Sequence, residues 1–493
     1  MPDVLIVGGG LAGLACAVAL SGAGVCVEVL ERDPWLGGRA ASWTDETTGD
    51  VVDIGPHVVH SEYRNFCALL ERLGTRRLIH WQPDELIRLA TRKGTLPLRH
   101  RPLPPPFSLL PDFLRAPDLG VRDMLSNSRV TWQAMRFQES DVDALDACTG
   151  LDFLRSRGVS ERMIDWFWRF ATMAVLNVPL ERCSAAALMR VHSQLIGHRG
   201  IHFGFSGVGL AQLYVEQCVR IIESAGGKAK LGCAVAALQS GSRSHQVLLA
   251  NGKRLERRYC VCAIPPCELA ALNPQLARFR ALEPSPYISV YLWFDRTLTA
   301  ERFWALLWSV ERLNYDFYDL SNIRPGWAGR PSVIASNIID SHRAHALSDD
   351  EIVSATLREI AEHVPEANNA KVRHARVHRI PMAIVSPTPG TERNRPPART
   401  GIPRLYLAGD WTRTGLPSSM ESAVRSGFLA AEQVLADLDQ PQAFAIEPRN
   451  PDGLAWLVNR MAARSSQPAG NRRERAAHRL DGPGGPRLTV HGA

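Results

Sequence analysis

Between a short β-branched run, Val4-Leu5-Ile6-Val7, and a helical stretch from Leu11 to about Ser21 lie Gly8-Gly9-Gly10-Leu11-Ala12-Gly13. Gly8, Gly10 and Gly13 stand where a strand must turn sharply, where a pyrophosphate approaches the backbone, and where a helix must pack close to a sheet. The pattern alone is weak. Its context gives it weight: a strand precedes it, a helix follows it, and a second strand from Val25 to Leu30 ends on Glu31. A carboxylate at that tip accepts hydrogen bonds from ribose hydroxyls, while phosphates rest on unpaired N–H groups at the positive helix end. The opening therefore reads as a βαβ dinucleotide-binding unit, with Gly8, Gly10, Leu11, Ala12, Gly13 and Glu31 as its contacts.

At 493 residues the chain exceeds what one hydrophobic core sustains, so two domains are expected. No stretch approaches the uninterrupted apolar run of about 20 residues that a spanning helix needs. Met1-Pro2-Asp3 carries no basic segment and passes straight into the first strand, which makes a cytoplasmic address the expectation. The ten cysteines are scattered without a C-x-x-C pair, so neither a metal site nor a disulfide framework is expected. The net charge is +7, but eight Arg against three acids beyond residue 448 account for most of it. A surplus confined to a Gly/Pro/Arg-rich end offers no stripe for reading nucleic acid. Residues 441–493 are expected to be a disordered basic tail, with contact to anionic lipid as the other reading.

From about 60 to 205 the pattern turns to helical segments interrupted by a proline-dense stretch, Pro102-Leu103-Pro104-Pro105-Pro106-Phe107 through Pro117. A helix from Leu210 to Ser224 and strands near Gln246–Ala250 and Tyr259–Ala263 then return the chain to the first domain, Asn251-Gly252 marking a hairpin. A second excursion carries the alternating strand Tyr287 to Trp293 and a helix near Asp349–His363. Leu405-Tyr406-Leu407-Ala408 reads as a last buried strand, and Ser418 to Asp437 as a long helix. These boundaries divide the chain into a discontinuous nucleotide domain (1–59, 206–270 and 391–440) and an inserted domain (60–205 and 271–390).

Leu36-Gly37-Gly38-Arg39 follows Glu31 closely, and a second glycine turn with an Arg suits an extended cofactor such as FAD. Glu31 through Arg39, Leu407-Ala408-Gly409-Asp410-Trp411-Thr412, and Ser419-Met420-Glu421-Ser422 through Gly427 together resemble the flavin amine oxidase and carotenoid desaturase superfamily. The resemblance implies an α/β fold: a Rossmann-like FAD-binding domain of glutathione-reductase/amine-oxidase type with an inserted α+β substrate domain. It implies that Gly409 and Asp410 hold the pyrophosphate and ribityl portion. Arg32, Gly38, Arg39, Gly55, Pro56, His57 and Met420 would follow the ribityl chain and ring, and Val235 would meet adenine through its backbone. Pro417-Ser418 followed by Glu421 reads as a capping box that starts the last helix near Ser419 and Met420. That positive helix end, aimed at the flavin, would stabilise the anion formed on reduction.

Flavin amine oxidases generally enclose the amine between aromatic side chains, one of them just before the position of Met420; here that residue is Ser419. Other segments, Asp53-Ile54-Gly55-Pro56-His57, Val175 through Ser184, and Ser289 through Asp295, are similar to plant-type phytoene desaturases and hydroxysqualene dehydroxylases. Thr414-Gly415-Leu416-Pro417 looks closer to the dehydroxylases and Met420 to the desaturases. The resemblance implies hydride transfer between flavin and a long isoprenoid, with a quinone or another carrier exchanging the electrons. Amine oxidation is the alternative. A prenyl-lipid carrier like the Rab escort and GDP-dissociation-inhibitor relatives is the alternative of another class, against which the intact flavin cradle argues. His57 is the candidate acid or base. Trp166-Phe167-Trp168, Phe170, Met173, Val175 and Leu176 are read mainly as core, with tunnel lining as the alternative. The run Leu103 to Leu114 stays open between a segment dipping into one lipid leaflet and a surface loop.

Overall fold

The computed structural model describes residues 4–82, 85–91 and 94–465. Five strands, Lys228–Lys230, Val27–Leu30, Val4–Val7, Tyr259–Cys262 and Leu405–Leu407, lie side by side in that order, and every pairing is parallel. This 3-2-1-4-5 order by position in the chain is that of a dinucleotide-binding sheet, and it brings the carboxyl ends of the strands to one edge, where ligands bind. Val4–Val7 and Tyr259–Cys262 are buried at every position, as parallel strands covered on both faces are. Helices Leu11–Gly22, Leu210–Ser224 and Met420–Asp437 pack together against this sheet. Glu28 is the buried exception in the second strand, and it is neutralised by Lys230 and Arg257. A three-stranded antiparallel meander, Val235–Ser240, His245–Leu249 and Arg254–Arg257, turns at Asn251-Gly252 before the chain re-enters the parallel sheet.

A seven-stranded sheet stands beside it, in the order Val372–Val385, Pro284–Phe294, Val333–Ile338, Asp316–Asp319, Phe303–Leu306, Ile87–Thr91 and Gly94–Leu98. Five of these strands come from the second excursion and two from the first, so both excursions share one sheet. All its pairings are antiparallel except Phe303–Leu306 with Ile87–Thr91. Helices between Leu110 and Gly197 cover it through one continuous apolar core containing Trp166, Trp168 and Leu188. A single π-helical turn at Ile164–Trp168 interrupts that layer.

The disordered tail expected over 441–493 is corrected for residues 441–465. Phe444 is buried near Phe428, the Ile446 N–H donates to Asn65 Oδ1 at 2.8 Å, and Arg449 pairs with Glu62. A helix, Gly453–Ser465, then buries Ala455 and Val458 against helix Ser128–Arg136. Three buried apolar side chains on one face, Ala462 being the third, outweigh a polar composition there. Residues 466–493, the rest of that expectation, lie outside the described residues.

Candidate active site

The glycine loop is shaped for a phosphate. Gly8 has φ +106°, and a Cβ on it would lie 2.6 Å from the Ala263 carbonyl oxygen; a Cβ on Gly13 would lie 2.1 Å from the Gly8 oxygen. Any side chain at these positions pushes the helix off the sheet. At Gly10 the nearest atom to such a Cβ is the Gly38 Cα, at 3.9 Å, so that side of the loop is open. Helix Leu11–Gly22 begins at Gly10 with no capping side chain, leaving the first-turn N–H groups for a ligand. Glu31 is buried; its Oε2 accepts the Gly9 N–H at 2.8 Å and its Oε1 the Asp33 N–H at 3.0 Å. Each oxygen keeps a lone pair for ribose hydroxyls. The second glycine turn is held by the Tyr214 hydroxyl, which donates towards the Gly37 and Ala40 carbonyls. The open loop, the bare helix start and the placed carboxylate are those an FAD pyrophosphate and ribose require.

The far wall comes from the other end of the chain. Arg39 Nη2 donates to Asp410 Oδ1 at 2.7 Å, joining segments 371 positions apart. Gly409 N–H donates to Ser426 Oγ, and Arg395 donates to the Asp410 carbonyl while pairing with Glu392, so the turn before the last helix is braced from two sides. The expected capping box is corrected. Ser419 is the cap, its Oγ accepting the Ser422 N–H at 3.2 Å, and Glu421 does not fold back. Its carboxylate instead accepts the N–H groups of Asn65 and Phe66, the first turn of helix Arg64–Arg72, and the Asn65 side chain. A second helix start offered it more unpaired donors than its own.

Leu11, Ala12, Arg39, Gly409, Asp410 and Met420 line one cavity of about 460 Å³, and Gly55, Pro56 and His57 continue its wall. Gly8, Gly10, Gly13, Glu31 and Gly38 form the loop at its nucleotide end. Val235 begins its strand two residues past Cys233, whose N–H donates to the Glu31 carbonyl; it lies at the Glu31 end and outside this wall. Arg32, expected at the cofactor, turns outward to Glu268 at 2.8 Å with its side chain 57% exposed, because a carboxylate on the surface holds it.

Beyond the flavin-facing turn the cavity wall becomes apolar, with Leu98, Leu109, Phe167, Phe170, Phe203 and Phe303. Phe167 and Phe170 are thus lining, whereas Trp166 and Trp168 are core. His57 Nδ1 lies 2.8 Å from the Gly55 carbonyl, and burial holds its pKa below the usual histidine value, so the ring is neutral near pH 7. A neutral imidazole is no acid, and burial weakens it as a base.

The sequence reading missed a polar patch on the seven-stranded sheet. Tyr287, Tyr315, Asp316, Tyr318 and Asn337 all line the cavity. Asn337 Nδ2 donates to the Pro56 carbonyl at 3.1 Å, and Ser289 donates to Asn337 Oδ1 at 2.7 Å, which stitches the Gly55-Pro56 turn to this sheet. A Cβ on Gly55 would lie 2.4 Å from Ser289 Oγ and 2.9 Å from Asn337 Oδ1, so any larger residue there must displace these two side chains. An acid amid aromatics in Asp316-Phe317-Tyr318-Asp319 was the available signal, since Asp is depleted in strands.

Comparison with known proteins agrees with this geometry. The family described as flavin containing amine oxidoreductase matches residues 11–435. The chain is 29% identical over 475 residues to the chloroplastic/chromoplastic 15-cis-phytoene desaturase of an Oncidium hybrid cultivar, covering 90% of this chain and 79% of that one. It is 27% identical to the 15-cis-phytoene desaturase of Synechococcus elongatus, covering 89% of this chain and 97% of that one. The solved structure of putrescine oxidase bound to putrescine shares the fold, with a TM-score of 0.68 at 18% identity over 88% of this chain and 99% of that one. With a cradle that fits FAD and a match that runs through both inserted segments, the protein is an FAD-dependent oxidoreductase and belongs to the flavin containing amine oxidoreductase family.

Proposed function

We propose that this flavoenzyme desaturates a long isoprenoid hydrocarbon of the phytoene type. The observation that carries this reading is the set of apolar side chains, Leu98, Leu109, Phe167, Phe170 and Phe303 among them, that line the same cavity as Arg39, Asp410 and Met420. Similarity to phytoene desaturases along nearly the whole chain supports it. Ser419 supports it too: as the cap of the last helix it leaves no aromatic at the position where an amine cage would stand.

When bound, FAD supplies a hydride acceptor. The protein's part is to hold it, through Glu31, Arg39, Asp410 and the bare helix start, and to exclude water with apolar side chains. The N-terminus of helix Met420–Asp437, whose first residues line the cavity, places a positive end where negative charge develops. Reductive dehydroxylation of a hydroxysqualene-type alcohol is the second reading, favoured by Thr414-Gly415-Leu416-Pro417, of which Leu416 and Pro417 line the cavity. Anaerobic mixing of oxidised enzyme with phytoene and with putrescine decides the main question: phytoene is expected to bleach the flavin, and bleaching by putrescine alone would reverse the assignment. Starting from reduced enzyme, hydroxysqualene tests the second reading by restoring the yellow form.

Substrate and a quinone acceptor both reside in lipid, and an exposed apolar surface suits a membrane contact. Leu103, Phe107, Leu110 and Leu114 are exposed, as are Leu454, Trp456, Leu457 and Met461, and the two runs adjoin where Pro105 meets Gly453. Among the described residues no helix is long and apolar enough to cross a membrane. Co-sedimentation with anionic vesicles is expected, and it should drop in Phe107→Asp and Trp456→Asp.

A further inference from the structure

Among the described residues four carboxylates line the cavity, and three are committed elsewhere. Glu62 pairs with Arg449, Asp410 with Arg39, and Glu421 caps helix Arg64–Arg72. Asp316 is different. Its Oδ2 accepts the Tyr318 hydroxyl at 3.0 Å, and its Oδ1 has no hydrogen-bond partner in the protein. It sits in the strand next to Asn337, the residue that holds the Pro56 carbonyl of the flavin-facing turn. We infer that Asp316 is the catalytic base of this cavity, taking the proton that a substrate carbon must lose.

The inference rests on the desaturation reading. Forming a double bond removes two hydrogens from adjacent carbons. One would leave as hydride, with its bonding pair, to oxidised FAD as the bound acceptor. The other leaves as a proton to the Asp316 carboxylate, and the pair it leaves behind becomes the second bond of the alkene. An acceptor of the quinone class would take the electrons from FAD held by Glu31, Arg39 and Asp410, and Asp316 would return the proton to solvent.

The surroundings suit a base that must be recharged near neutral pH. Burial raises the Asp316 carboxyl to about 6, against the lowering effect of the Tyr318 hydroxyl and of the backbone N–H groups of Asn337 and Asp316. Facing groups are Tyr315 and Tyr318 on its own segment, Tyr287 on the long strand, and Asn337 on the adjacent strand, whose Ser336 hydroxyl donates to the Asp316 main-chain carbonyl. Asp340 and Arg343 act on Tyr287 and Tyr315, and no cation pairs with Asp316 itself among the described residues.

Asp316→Asn keeps the shape and an acceptor for Tyr318, and tests the role in the flavin-loaded enzyme. Phytoene should bind equally well, while anaerobic flavin bleaching slows by about a hundredfold and loses its acid limb near pH 6. Infrared spectra of the substrate-free protein provide a readout independent of turnover: the carboxylic acid absorption titrating near pH 6 in wild type should fall in the variant to the share of Asp319, which burial also raises to about 6. Tyr318→Phe should keep the base but move the acid limb to higher pH, since it removes the bond that favours the carboxylate. Bleaching of the Asn variant within about threefold of wild type, or no such fall in absorption, would overturn the proposal. If phytoene fails to bleach even the wild type, the substrate reading falls; the same wild-type and variant comparison with putrescine then judges Asp316 on its own.

Discussion

In the parallel sheet the chemistry lies in the backbone; in the seven-stranded sheet it lies in side chains. The nucleotide end works because glycines at 8 and 13 let a helix start close to strand Val4–Val7 and leave its N–H groups bare. The substrate end works because Ser289, Asn337, Asp316 and Tyr287, from three different strands, arrive on one wall. A backbone site tolerates no added atoms, whereas a side-chain site depends on register. The first should fail by losing cofactor, and the second by losing chemistry while staying yellow.

The sharpest attempt to break this contrast is Gly13→Ala. Its Cβ would lie 2.1 Å from a backbone oxygen, and the resulting shift should cost about 3 kcal/mol, roughly a hundredfold in FAD affinity, read as flavin absorbance per chain. Ser289→Ala, on the other sheet, should leave that ratio unchanged. Glu31→Ala comes next: it strips two N–H groups of their acceptor and removes the ribose contact, for about 2 kcal/mol in a titration of apoprotein with FAD. Unaltered affinity would show that this carboxylate serves only the loop.

Asp316→Asn should separate the two regions by pH. The folded carboxyl is raised from 3.8 to about 6, so the folded state holds the proton more tightly and wild-type stability falls as pH rises through that window. The variant lacks this loss. It should unfold at higher temperature than wild type at pH 8, by about 2 kcal/mol, with the gap closing near pH 4. An equal gap at both values would mean that Asp316 is not buried as described. Smallest is Glu421→Gln, which weakens a cap on helix Arg64–Arg72 and should cost roughly 1 kcal/mol in thermal unfolding, with flavin content intact.

The same contrast explains what could be read from the chain alone. Helix Leu210–Ser224 and helix Asp349–His363 fall where their periodicity places them, and Glu31 and Asp410 sit where their motifs require. Local rules suffice for these. Strand Lys228–Lys230 escaped notice because Lys-Ala-Lys looks like a loop until Glu28, from the neighbouring strand, is seen to need a cation. Glu421 was assigned to its own helix because sequence cannot show that Asn65 and Phe66 lie beside it, some 355 positions away. Asp316 carries no motif at all. Its significance depends on its strand lying beside that of Asn337, which in turn holds the Pro56 carbonyl, and only pairing of distant strands makes this so.

The ion pair between Arg39 and Asp410 also sets a timetable for biogenesis. A ribosome adding about 5–20 residues per second leaves roughly 20 to 75 s between emergence of the two partners. Throughout that interval the parallel sheet has no edge strand from Leu405–Leu407, and by its close the apolar inner walls of both excursions have left the exit tunnel. Vitamin-derived pigment can therefore be captured only by a nearly finished polypeptide. Chains cut short before the last long helix should be colourless, so the yellow of the flavin-loaded protein certifies that translation passed helix Met420–Asp437.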